Sequence, residues 1–209
     1  MGAGVLSLCG GAVGLVDADF VSNQPGLEPE FVYRTNESTC EASITQPSGH
    51  VIMPTPHMRY EWHLRCADDV PATIDLESGA GTSDIDLGTV PVQQLRVRTG
   101  AGQSRAVILA SSLERFDLQT GAGRFDLEIR GLPNTLARGS VHGDVGAVQI
   151  RIPRTTPTCI RVDRAIGGVS ARGFTQDGHN YVNYAPGTTP ALDIDIHVGV
   201  GEVTLDTVG

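Results

Sequence analysis

Apolar and polar residues alternate along most of the chain, in short segments that recur at regular spacing. Thr73–Glu77, Gln94–Arg98 and Arg115–Gln119 each alternate, and a second alternating segment follows each of them. Because successive side chains of a strand point to opposite faces, alternation with a period of two is typical of half-buried strands. The pattern predicts an all-β protein.

Glycine triplets stand between the paired segments and define the repeat. Gly79–Gly81, Gly100–Gly102 and Gly121–Gly123 follow one another at a spacing of 21 residues. A fixed period of this length predicts a parallel β-solenoid with coils of about 21 residues and Gly-x-Gly corners, since glycine adopts positive φ and lets neighbouring backbones approach closely. The predicted corner glycines are Gly79, Gly81, Gly100, Gly102, Gly121, Gly123, Gly146, Gly167 and Gly201.

Charged residues between the apolar positions alternate in sign from one repeat to the next. One column contains Asp75, Arg96 and Asp117, and another contains Asp84, Arg105 and Asp126. Farther along the chain, the aligned pairs are Glu128 with Arg151, Arg161 with Asp195, and Arg172 with Asp206. Opposite charges are favourable where equivalent residues of adjacent strands lie about 4.8 Å apart. An antiparallel sandwich with glycine turns, the alternative fold, gives no reason for this alternation.

The repeats do not extend over the whole chain. Residues 1–70 contain irregularly spaced strands and are predicted to form an N-terminal β cap, whereas residues 71–209 form the solenoid repeats. An insertion at about 173–190, rich in Gly, Asn, Pro and Tyr, is predicted to protrude as a loop. Loops on rigid scaffolds carry recognition and Tyr suits interfaces, so this loop supplies binding candidates, although an ordinary covering loop is the alternative. The candidates are Gln176, Asp177, His179, Asn180, Tyr181 and Tyr184.

Composition narrows the possible partners. The 209 residues carry a net charge of −9, and all 15 basic residues are arginine. Nucleic-acid binding is not expected, because phosphate neutralisation needs a basic patch. Cys9, Cys40, Cys66 and Cys159 show no zinc-type spacing, and the arginines in the charged columns would repel calcium, so we expect neither metal nor cofactor. The cysteines are either buried thiols or disulfides, with Cys40–Cys66 the least strained pair.

Carboxylates two coils apart are the sharpest enzymatic alternative. Asp84 with Asp126, or Asp75 with Asp117, would lie roughly 9–10 Å apart, a spacing compatible with an inverting glycan hydrolase. An arginine lies between the members of each pair and would keep both carboxylates ionised. We therefore expect no enzymatic activity.

Histidines form two further groups. His50, His57 and His63 lie near Trp62 in the sequence, but no metal-binding or nucleophile motif accompanies them, which favours solvated histidines. His142, Asp163 and His197 share one column and could titrate together near neutral pH. Neither group predicts a reaction.

Six segments outside the glycine triplets carry a family resemblance: Gly2–Leu8, Gly10–Ala12, Asp17–Phe20, Asp69–Pro71, Gly173–Phe174 and Leu192–Gly201. Together they resemble the bacterial toast-rack domains. Such domains are similar to the extracytoplasmic domain of LiaF-type envelope-stress proteins and to adhesin-like proteins. The resemblance implies a cell-envelope or secreted setting, with a native leader or anchor absent from this chain, and supplies no catalytic residues.

The sequence thus predicts a non-catalytic extracytoplasmic module for interaction, adhesion or envelope sensing. Its partner would be a protein or a cell-envelope component, and contact with a membrane would come only through the missing leader or anchor. A solenoid that stacks end to end into homo-oligomers or filaments is an alternative, because the alternating segment Leu192–Leu205 would leave a pairable strand edge.

Overall fold

The computed structural model describes residues 1–23, 26–36, 39–47 and 59–209, in which strands and one short 3-10 helix at Ala110–Ser112 are the regular elements. The strands are β1 (Ala3–Gly10), β2 (Val16–Ser22), β3 (Glu30–Thr35), β4 (Cys40–Thr45), β5 (Tyr60–Cys66), β6 (Ala72–Leu87), β7 (Val92–Leu109), β8 (Arg115–Arg130), β9 (Ala137–Pro153), β10 (Thr158–Arg172), β11 (Thr175–Asp177), β12 (Asn180–Val182) and β13 (Leu192–Val208). The expected all-β class is confirmed.

Eleven strands form one sheet in the order β11-β12-β10-β13-β9-β8-β7-β6-β1-β5-β2, and β3 with β4 forms a separate hairpin. Every pair from β10 through β13, β9, β8, β7, β6 and β1 to β5 is parallel, whereas β2, β12 and β11 pair antiparallel. A mostly parallel sheet of this kind agrees with the predicted solenoid class.

The long strands run through the glycine triplets without interruption, where the sequence suggested two short strands. In β8, Phe116, Leu118 and Thr120 are buried before the triplet, and Phe125 and Leu127 are buried after it. Phe125 lies five positions after Thr120, an odd offset, so at the triplet the buried side chains change from the even-numbered to the odd-numbered positions. Both halves join one hydrophobic core, which the bent strands enclose. We call the residues before the triplets the first-half layer and those after them the second-half layer.

In the second triplet, one position has no room for a side chain and must be glycine. Gly102 has φ +131°, and a Cβ atom there would lie 2.0 Å from the carbonyl oxygen of Gly81 on the neighbouring strand. Close approach of adjacent backbones therefore depends on glycine at this position.

The last strands are not stacked in chain order. The sequence placed the strand of Gly167 next to that of Gly146, but Gly201 of β13 lies between them and opposes both. The long connection between β10 and β13 lets the C-terminal strand return into the gap. Because β13 is an interior strand, the expected free edge at Leu192–Leu205 is wrong, and β10 is the last long strand of the stack.

The insertion does not protrude as the loop that the sequence predicted. Its β11 and β12 form an antiparallel hairpin, and β12 pairs with β10 through Ile160 opposite Tyr181 and Arg161 opposite Asn180. The hairpin extends the first-half layer by two strands, because the backbone of β10 offers an unpaired edge there.

The charged columns stand in the predicted register. Asp75 opposes Arg96, which opposes Asp117, and Arg96 Nε lies 3.6 Å from Asp117 Oδ2. Arg161 and Asp195 form the predicted ion pair, with Nη1 2.5 Å from Oδ1. Arg105 departs from the expectation, because its nearest described carboxylate is Glu128, at 3.7 Å.

Reversing one charge in a column tests its contribution to stability. Arg96→Asp would place carboxylates in line at positions 75, 96 and 117, losing one ion pair and adding repulsion. The Arg96 side chain is 48% exposed, so solvent screens the change, and we expect a loss of only about 0.5–1 kcal/mol in the free energy of unfolding. Urea denaturation at low salt measures it, with Arg96→Gln as the neutral control; equal stability of both variants would contradict the columnar repulsion.

Candidate functional site

The acidic residues of the columns are surface ion pairs rather than a paired catalytic site. The strand bearing Arg105 separates Asp84 from Asp126, and both Asp126 oxygens accept hydrogen bonds from Arg124 Nε at 2.9 and 3.0 Å. Asp75 and Asp117 are likewise separated by Arg96. Each carboxylate therefore has a guanidinium neighbour within its own face of the sheet.

The histidine column is present but open to solvent. The rings of His142 and His197 lie 5.9 Å apart, and His197 Nδ1 is 3.5 Å from Asp163 Oδ2. His63 lies on β5, 3.3 Å from Glu61, and hydrogen bonds from Arg59 and His63 lower the pKa of Glu61. Within the described ranges, no three His, Cys, Asp or Glu side chains are arranged to hold a metal ion. His50 and His57 lie outside the described residues.

The predicted binding residues of the insertion divide into two groups. Gln176, Asp177 and His179 are exposed at the hairpin end, whereas Tyr181 packs against the hydrophobic core. Tyr184 lies beside Cys159, and its pKa is raised by burial and then by that thiol. Asn180, the sixth residue, pairs with β10 and is half-buried. Their role in binding stays a prediction.

Asn183 anchors this hairpin, and sequence reasoning missed it. Its Oδ1 accepts a hydrogen bond from the Thr158 backbone N–H at 2.7 Å, and its Nδ2 donates to the Thr156 carbonyl at 3.0 Å. A lone asparagine in a polar insertion carries no sequence signal for this contact.

A concave surface lies at the other end of the sheet, between the β3–β4 hairpin and strands β1, β5 and β6. This cleft has a volume of about 1470 Å³. Apolar side chains from all of these elements except β3 line it, among them Leu8, Ile44, Trp62, Leu64, Ile74 and Leu76. Concave surfaces that combine apolar side chains with polar groups are the usual ligand-binding sites of proteins.

The cleft exists because the two layers end at different strands. The second-half layer continues past β6 through β1, β5 and β2, whereas in the described part of the chain no strand pairs with the outer edge of Thr73–Leu76. The first-half layer therefore ends at β6, and the apolar faces of β1 and β5 extend beyond it.

The backbone of β6 presents hydrogen-bonding groups to the cleft. On the β7 side, the Ala72 N–H donates to the Pro91 carbonyl at 3.1 Å, and on the opposite side the Glu77 carbonyl accepts from the Met1 amino group at 2.8 Å. Backbone groups of a strand alternate in direction from residue to residue. Thr73 and Asp75 therefore aim their N–H and carbonyl groups at the cleft.

The cysteines form no disulfide in this structure. All four are free, so the Cys40–Cys66 pairing suggested by sequence separation is not formed; Cys40 lies in the β3–β4 hairpin and Cys66 at the end of β5. Cys66 lines the cleft, and burial raises the pKa of its thiol.

Comparisons with known proteins give one family and one solved structure. A family model described as the N-terminal domain of toast_rack, DUF2154, matches residues 1–128. The fold is similar to that of a putative cell adhesion protein from Clostridium sporogenes, with a TM-score of 0.72 and 21% identity over 99% of this chain and 89% of that chain. No curated protein matches the sequence. None of the described helical residues forms a segment long and apolar enough to cross a membrane.

Proposed function

We propose, from the premise that this chain belongs to the toast-rack family, that it acts outside the cytoplasm as a non-catalytic interaction module. The resemblance read from the sequence is confirmed by the family match. The name of the similar solved structure, a putative cell adhesion protein, supports adhesion or envelope sensing as the setting. Coils of about 21 residues with Gly-x-Gly corners belong to the same proposal, supported by the register of Gly81, Gly102 and Gly123.

The cleft is the observation that carries this proposal. Its ligand is an extended segment of a partner protein, which pairs as an added strand with the edge of Thr73–Leu76 that no described strand occupies. Backbone groups of Thr73 and Asp75 supply the hydrogen bonds of such β-augmentation, and apolar pockets receive alternate side chains of the ligand. Ile74 and Leu76, both half-buried, form the floor of these pockets.

The proposal predicts that extended peptides bind at this edge. Random peptides of about ten residues, the length of a long strand, are selected on the immobilised protein. Binding is followed by the fluorescence of Trp62, which lines the cleft and is the only tryptophan of the chain. We expect selected peptides to alternate apolar and polar residues and to change this fluorescence.

Two variants of one exposed residue locate the binding edge. Thr73→Pro removes an N–H that faces the cleft, and proline is tolerated on an edge strand, so we expect the Kd to rise about tenfold or more with little loss of stability. Thr73→Ala keeps the N–H and should bind as the wild type does. Equal peptide affinity of wild type and Thr73→Pro, or the absence of selected binders, would refute the cleft as the site.

A further inference from the structure

The two layers do not end at the same strand, and a different layer projects at each end of the sheet. At one end the second-half layer projects by three strands, β1, β5 and β2; at the other the first-half layer projects by two, β12 and β11. Among the described residues, β2 pairs only with β5, and Val162–Arg172 of β10 pairs only with β13. Each end therefore presents one strand edge of the second-half layer that no described strand pairs with.

One column of outward-facing residues connects these two edges. In register order it contains Asp17, Arg65, Cys9, Asp86, Val107, Glu128, Arg151, Asp206 and Arg172. Charges alternate from Glu128 to Arg172, so the column ends on a cation at β10. At the other end it begins on an anion at β2.

Arg172 is available for a further partner. It is exposed, and within the described ranges it has no carboxylate at ion-pair distance; Asp206, its neighbour on β13, accepts a hydrogen bond from Gln149 at Oδ2, at 3.1 Å. Asp17 Oδ2 accepts the Val13 N–H at 2.9 Å, but its ion-pair contact with Arg65 is long, at 3.9 Å, and its side chain is 30% exposed. Within the described part of the chain, both terminal charges of the column therefore lack a close opposite charge.

The adjacent columns match in the same way. The neighbouring outward column begins with Asp19 and ends with Ser170, a carboxylate and a hydroxyl that can donate to it. The inward column that contains Trp62 begins with Phe20 and ends with Val169, both half-buried apolar side chains. The two strand edges are thus complementary in charge, and polar and apolar side chains lie at matching positions.

We propose that copies of this chain associate head to tail, β10 of one copy pairing antiparallel with β2 of the next. Arg172 then opposes Asp17 of the second copy, and the alternation of charge continues across the junction into Arg65. Opposite charges on adjacent strands favour this register over a shifted one. The contact joins two different surfaces, so it leaves free ends and produces linear oligomers.

The projecting hairpin is brought to the cleft of the next copy by this contact. The hairpin of β12 and β11 is two strands deep, about 10 Å, and it faces the cleft between β6 and the β3–β4 hairpin of that copy. This places Gln176, Asp177 and His179, the exposed binding candidates of the insertion, at the junction between copies.

The experiment measures molar mass against concentration by analytical ultracentrifugation. We expect the wild type to form oligomers whose mass grows with concentration, and Arg172→Glu and Asp17→Arg each to weaken association by about tenfold or more. When these two variants are mixed, the intact β2 of one should pair with the intact β10 of the other and restore association. A symmetric dimer in which β2 pairs with β2, or β10 with β10, would be weakened by only one of the two substitutions.

Controls separate this inference from a loss of folding and from the peptide site. Arg154→Glu, an exposed charge reversal outside both edges, should leave association unchanged, and melting temperatures establish that each variant is folded. Asp19→Arg is a second β2 variant, because Asp17 also accepts the Val13 N–H at 2.9 Å. Thr73→Pro should affect peptide binding alone. A wild type that stays monomeric, or mixed variants that do not associate, would overturn head-to-tail pairing.

Discussion

Gly102→Ala is expected to destabilise the protein by about 3 kcal/mol or more. The new Cβ would lie 2.0 Å from the Gly81 carbonyl oxygen, a backbone atom that cannot rotate away, and φ +131° is strained for any L side chain. Relief requires the two strands to separate, which weakens the ladder of hydrogen bonds on both sides of the triplet. Urea unfolding followed by circular dichroism measures the change.

A glycine outside the ladder provides the matched control for this change. At Gly14, an added Cβ meets only Asp17 Oδ1, at 3.7 Å, and the backbone has no positive φ. Gly14→Ala should therefore stay within about 0.5 kcal/mol of the wild type. Comparable stability of Gly102→Ala and Gly14→Ala would show that the close backbone approach is not required for folding.

The register of the stack could be predicted because each long strand repeats the same constraint. Gly81 and Gly102 must coincide where backbones approach closely, and opposite charges such as Arg161 and Asp195 favour one alignment of their strands. Several independent columns agree on the same offset, so a few residues determine the alignment of a whole strand. Because of this redundancy, the register between neighbouring strands could be predicted from the sequence.

The order of the last strands was missed although a signal was present. A glycine column does not determine the order of strands, because Gly201 fits beside Gly146 as well as beside Gly167. Charge alternation does determine it: chain order would place Arg172 beside Arg151, two like charges, whereas the observed order places Asp206 between them. Applying the charge rule to every neighbour, not only to single pairs, predicts β13 between β9 and β10.

The cleft could not be predicted from the sequence. It arises where β6 ends one layer while β1 and β5 continue the other, and residues 1–70 lack the repeat that would reveal which layer each strand joins. The hairpin that covers β10 depends on Asn183, a single side chain without a motif. Both features are tertiary arrangements of irregular segments, so local periodicity carries no information about them.

Gly139 and Phe116 form a pair whose coupling we expect to exceed 1 kcal/mol. They oppose each other on β9 and β8, and a Cβ at Gly139 would lie 2.0 Å from Phe116 Cζ in a fully buried site. Gly139→Ala overpacks the core and should cost about 2–3 kcal/mol, whereas Phe116→Ala leaves a cavity and should cost about 3–5 kcal/mol. In the double variant the new methyl group occupies part of that cavity, so the loss of stability should be smaller than the sum of the two single losses.

The control is Phe125→Ala, because the Phe125 ring opposes Val148 and not Gly139. Its loss of stability should add to that of Gly139→Ala. Additive losses for Gly139 and Phe116 as well would mean that the ring does not occupy the space that glycine leaves open.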